Sequence, residues 1–182
     1  GLGEITKPED DYLTDDFEEL FKQVDRNGGL RWRTRFMNEN YGGLQPSDFG
    51  FIFSRTNIGK STWIANELSF MVNQVTQPII FFFNEEAGGR MKWKVLQSYY
   101  GIDDEELKSD IKGYGERFLD ETNGMFKFVD SGSLHKREVE RLCTRDKPRL
   151  VVIDSLDKMK GFKADRQDTL LGSMYEWGRE IG

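Results

Sequence analysis

Nine residues, Ser54-Arg55-Thr56-Asn57-Ile58-Gly59-Lys60-Ser61-Thr62, stand between the apolar run Phe49-Gly50-Phe51-Ile52-Phe53 and a segment whose apolar residues recur at helical spacing. A strand, a glycine-bearing loop and a helix in that order form the phosphate-binding junction of nucleotide-dependent proteins. Gly59 lets the backbone turn its amides toward an anion. Lys60 can reach the β and γ phosphates, Ser61 can ligate Mg²⁺, and the helix amino terminus favours negative charge. Ser54 stands where the general pattern has its first glycine. Gly-Lys-Ser alone is a weak signal; the apolar run before it and the helix after it make it specific.

The rest of the chain alternates in the same way. Ile64, Leu68, Met71 and Val75, widened by Ala65 and Val72, predict a core-facing helix over 61–75. The continuous run Pro78 to Phe83 predicts a strand buried on both faces, and the spacing predicts a helix over 90–100. Further helices are expected over 103–119 and 134–143, with a short strand at 125–129 between them. Leu150-Val151-Val152-Ile153 is the clearest strand, and 167–181 has the length of a closing helix. Such alternation implies an α/β fold with a mostly parallel sheet flanked by helices. Before it, residues 4–16 are polar and acidic, and Phe17, Leu20, Phe21 and Val24 predict a short amphipathic helix behind Thr14 or Asp15.

Composition narrows the function classes. With 182 residues, one cysteine and 37% hydrophobic content, the chain suits one sizeable core without a disulfide framework, and the cytosol is the simpler compartment. The longest apolar run is far below the ~20 residues of a membrane-spanning helix. Twenty-six basic against 32 acidic residues give a net charge of −6, so a nucleic-acid contact must come from a local patch.

Val151-Val152-Ile153-Asp154 is an apolar strand ending in a carboxylate, the position from which such proteins hold Mg²⁺. Asp154 is therefore the metal candidate beside Ser61. Glu85 and Glu86 follow the second buried strand, where an acidic group could polarise a water attacking the γ phosphate. A solvated acidic turn explains that pair equally well.

In order, Gly43-Leu44-Gln45-Pro46-Ser47-Asp48, the loop Arg55 to Thr62, Phe83-Asn84-Glu85 and Val152-Ile153-Asp154-Ser155-Leu156 resemble the RecA-like motor domain of DnaB-type replicative helicases, including phage primase-helicases. The resemblance covers about residues 29–182. That family's loop commonly lacks the first glycine and carries an arginine two residues into the motif, as Ser54 and Arg55 do here. It implies an ATP-dependent helicase motor with Mg²⁺ as cofactor, moving on single-stranded DNA in a hexameric ring in a bacterial or phage-infected cell. By position, Lys60 and Ser61 (or Thr62) would bind nucleotide and metal, Glu85 (or Glu86) would activate water, and Asp154 would hold the metal. Residues 1–28 become an acidic tail with a linker helix that docks on a neighbouring subunit. In the family the closing helix is followed by a sensor strand, DNA loops and an arginine finger, so the core is expected to be incomplete at Gly182. Lys158, Lys160, Lys163 and Arg166 fall where the family can present a DNA loop, although a solvated turn fits them as well. A nucleotide-binding switch, a loader or a recombination and repair ATPase on the same fold is the alternative reading.

Other residues have simpler readings. His135 suits a surface or helix-capping position, Cys143 a buried hydrophobe, and Phe81, Phe82 and Phe83 the core. Trp32 among Arg31, Arg33 and Arg35 reads as a packed aromatic with solvated arginines rather than a base-stacking platform.

Overall fold

The computed structural model describes residues 16–24, 28–55, 58–83, 88–162 and 167–181, with only the backbone at 19, 20, 23, 24, 167 and 168. Its centre is β1 (Ile79–Phe83), buried along its whole length. β1 pairs in parallel with β2 (Phe126–Asp130) on one side and β3 (Leu150–Asp154) on the other, in the order β2-β1-β3. Phe83 stands level with Asp130 and Asp154, so both neighbouring strands end in carboxylates at the same edge of the sheet.

Period-two alternation along β1 divides the core. Ile79, Phe81 and Phe83 face α3 (Lys60–Met71), α4 (Gly88–Tyr100), α5 (Asp104–Ser109) and α6 (Ile111–Glu121), packing with Leu68, Met71, Val95, Leu107 and Phe118. Ile80 and Phe82 face the other way, toward α7 (Lys136–Asp146) and α8 (Gln167–Ile181), among Leu134, Val139, Leu142, Met159 and Trp177. Helices thus cover both faces of a small parallel sheet, as the alternation predicts. Two short helices, α1 (Phe17–Val24) and α2 (Arg35–Tyr41), precede this layer arrangement. Among the described residues no helix is long and apolar enough to cross a membrane.

Three sequence expectations change. Residues 103–119 form two helices rather than one, because the Asp110 carboxyl accepts from the Gly113 amide at 2.9 Å and starts a new helix at Ile111. α2 was not foreseen; its seven residues carry no buried side chain, so no apolar stripe announces it. The largest correction concerns residues 49–53, which form no strand. Ile52 is 48% and Phe53 76% exposed. The rings of Phe49, Phe51 and Phe53 pack in sequence, with centroids 5.0 and 5.6 Å apart, and Phe49 also meets Tyr175 of α8 at 5.6 Å. Phe49 lies so close to Gly178 that a β-carbon there would collide with the ring. Aromatic packing along the segment and on α8 takes the place of a strand ladder.

His135, Cys143 and Trp32 take the places expected of them, although the arginines beside Trp32 are not all simply solvated: Arg33 bonds to Asn66 and Arg35 to Glu39. His135 is the N-cap of α7, its Nδ1 accepting from the Arg137 amide at 3.2 Å. Trp32 is half-buried and stacks on Trp63 of α3 with centroids 5.9 Å apart. Cys143 is buried, and burial, helped by the nearby Asp146 charge, pushes its thiol up to about 11. The native protein at pH 8 is therefore expected to resist iodoacetamide, reacting more than about tenfold faster once unfolded in urea. Equal rates in the two states would contradict the burial.

Candidate functional site

α3 begins where the loop ends. Gly59 has φ +94, a left-handed conformation that favours glycine, and a β-carbon there would meet nothing within 4 Å. The next residue is Lys60, and among the described residues no side-chain cap bond closes the first turn of the helix. Those orphan amides and the helix dipole are available to an anion.

Lys60 Nζ donates to Asp154 Oδ1 at 2.8 Å, joining residues 94 positions apart. The two side chains are 28% and 14% exposed, so the pair sits partly sheltered at the carboxyl edge of the sheet. β1 holds β3 in register and α3 packs on β1, which brings the loop lysine and the strand-end carboxylate together. Asp130 ends β2 at the same edge and accepts from the Gly88 amide at 3.3 Å, while the Ser131 amide donates to Phe83 O at 3.0 Å. The residues just before and just after 84–87 are therefore fastened to the end of β2.

Ser61 is half-buried and Thr62 exposed in the first turn of α3; Ser54, Arg55, Ile58 and Gly59 are exposed before it. Thr56, Asn57, Glu85, Glu86, Lys163 and Arg166 lie outside the described residues. Lys160 is exposed, and its backbone is tied to the start of α7, donating to Leu134 O at 2.8 Å and accepting from the Lys136 amide at 2.9 Å. Among the described residues no three metal-ligating side chains cluster. The donors fit Mg²⁺ nonetheless, because this cation is commonly held by one or two protein oxygens together with phosphates and water.

Sequence reading missed what supports α3 from behind. Glu67 is only 2% exposed. Its carboxyl accepts from the amides of Arg33 (2.6 Å) and Thr34 (3.1 Å) and from the Thr34 hydroxyl. Arg33 Nη1 adds bonds to Asn66 Oδ1 at 2.6 Å and to Ser98 O at 3.3 Å. The usable signal was a carboxylate inside the apolar stripe of α3, since a buried carboxyl requires partners.

No family model matches the chain. A stretch of 81 residues, 44% of the chain, is 29% identical to the replicative DNA helicase DnaB of Buchnera aphidicola subsp. Baizongia pistaciae, of which it covers 18%. The fold superposes with a TM-score of 0.70 on a DnaB-like replicative helicase solved for its interactions with primase, at 15% identity, over 91% of this chain and 44% of that one. The chain is related to the DnaB-type helicases. It spans less than half the length of either DnaB relative. The segment that carries Lys60 and the strand that carries Asp154 therefore sit in a DnaB-like architecture, assembled from a small parallel sheet with helices on both faces.

Proposed function

We propose that the chain is the RecA-like ATPase core of a ring-forming DNA helicase, binding Mg-ATP at Lys60, Ser61 and Asp154 to move along single-stranded DNA. The observation that carries this reading is the Lys60–Asp154 pair at 2.8 Å. A cation on the phosphate loop meets a carboxylate at a strand end, the two charges that phosphoryl transfer needs beside one another. Bound Mg²⁺ would neutralise charge on the β and γ phosphates. Lys60 would bind phosphate oxygens of the nucleotide, and Asp154 with Ser61 would hold the metal. The first turn of α3 supplies amides to the same phosphates, with Ser61 or Thr62 offering a hydroxyl. Glu85, or Glu86, emerging just past Phe83, orients water in line with the γ phosphate.

The ring is supported by α1, whose Phe17 and Phe21 are 81% and 64% exposed. An apolar face without a described partner suits the linker helix that docks on a neighbouring subunit. The exposed Lys160, close behind Asp154 in the chain, suits a DNA loop with Lys163 and Arg166.

ATP hydrolysis by the complete protein, measured with and without single-stranded DNA, tests the reading. DNA-stimulated turnover is expected, and Lys60→Ala should lower kcat/KM by about 10²–10³-fold by removing a preorganised cation from the phosphates. Nucleotide binding with negligible, DNA-independent turnover would replace the motor with a switch or loader.

A further inference from the structure

Where the second half of α4 passes the first half of α3, the surface opens into a groove of about 440 Å³ whose lining includes Arg33, Thr62, Asn66, Lys94, Gln97 and Ser98. Two lining residues are cations and none is a carboxylate. The adjacent Glu67 is not among the lining residues; its oxygens accept in the interior from the Arg33 and Thr34 amides and the Thr34 hydroxyl. The Arg33 guanidinium is held through Nη1 by Asn66 and Ser98, which fixes its plane and leaves Nε and Nη2 without a described partner. Lys94 is half-buried, and among the described residues no hydrogen bond or ion pair engages its ammonium.

A groove lined by two cations and no carboxylate is a local positive patch on a chain of net charge −6, and such a patch favours an anion. The donor set matches an oxyanion: a planar guanidinium for paired contacts, an ammonium as point charge, and neutral donors from Asn66, Gln97 and Thr62. Thr62 is about 200° around the helix axis from Lys60, so the groove opens on a different face of α3 from the phosphate loop.

We infer that this groove is a second phosphate-binding site, separate from the loop at Lys60, which takes a phosphate group of a free nucleotide or of a nucleic-acid backbone.

Acetylation of individual lysines, read by mass spectrometry on the complete protein carrying Lys60→Ala, tests the site with inorganic pyrophosphate as probe. At about ten times the dissociation constant, Lys94 should be acetylated about tenfold more slowly, as expected when only the free form reacts. Lys92, exposed on the same helix, should not change. Gln97→Glu places a carboxylate in the groove without touching the Arg33 bonds and should abolish the protection. Parallel arms with ATP and with a thymidine oligonucleotide identify the source: protection by ATP alone assigns a nucleotide, by the oligonucleotide alone a strand, and by both recognition of the phosphate itself. Lys94 reactivity indifferent to all three probes, or protection surviving Gln97→Glu, overturns the site. The Lys60→Ala background makes this result independent of whether the phosphate loop binds ATP.

Discussion

Glu85→Gln is expected to lower ATP turnover in the complete protein by about 10²–10⁴-fold, the usual worth of a positioned general base. Nucleotide affinity should stay nearly unchanged, because glutamine keeps the size of the side chain and the phosphates are held elsewhere. The sheet explains why this position is sensitive. Phe83 is the last residue of β1 and lies level with Asp130 and Asp154, so the chain leaves the sheet beside the carboxylate that pairs with Lys60. Glu86→Gln is the discriminating comparison, because the two neighbouring carboxylates are the alternative candidates for the group that orients the water. Single-turnover hydrolysis with nucleotide binding measured separately distinguishes them. If both variants keep parental turnover, neither glutamate is the base, and the attacking water is oriented by another group.

Glu67→Ala is expected to destabilise the fold by about 3 kcal/mol, since it strands two backbone amides and a hydroxyl that now share one buried carboxyl. At roughly 2–4 °C per kcal/mol for a domain of this size, the thermal midpoint should fall by about 6–12 °C. Glu67→Gln keeps one acceptor oxygen and should lose less than half as much. Urea unfolding of the three proteins measures the ordering directly. An alanine variant as stable as the parent would mean that residues 33 and 34 are not fastened to α3 by this carboxyl. The consequence reaches beyond stability, because the segment held by Glu67 connects α1 to the helix that begins at Lys60.

Much of the architecture was legible in local pattern. The unbroken apolar run at 79–83 required a strand with two covered faces, and alternate residues do enter two separate cores. The helical spacing of Ile64, Leu68 and Met71 placed α3 behind the loop, and the strand ending at Asp154 was correct to its last residue. The same local logic failed at Phe49–Phe53. An apolar run states that a segment seeks burial but not which surface supplies it, and here aromatic rings stack along the segment and on α8 while Phe53 remains exposed. It failed again at Asp110, where one side-chain cap outweighed the helical period across 103–119.

The candidate site divides along the same line. Gly59-Lys60-Ser61 at the start of a helix and Asp154 at the end of a strand were fixed by sequence, because backbone conformation, side-chain charge and periodicity are properties of neighbouring residues. That Lys60 and Asp154 meet at 2.8 Å, that Glu67 grips Arg33 and Thr34, and that Arg33 and Lys94 share a groove free of carboxylates depended on the chain folding back on itself. Contacts between residues tens of positions apart arise from strand register and helix packing, and no local pattern encodes them.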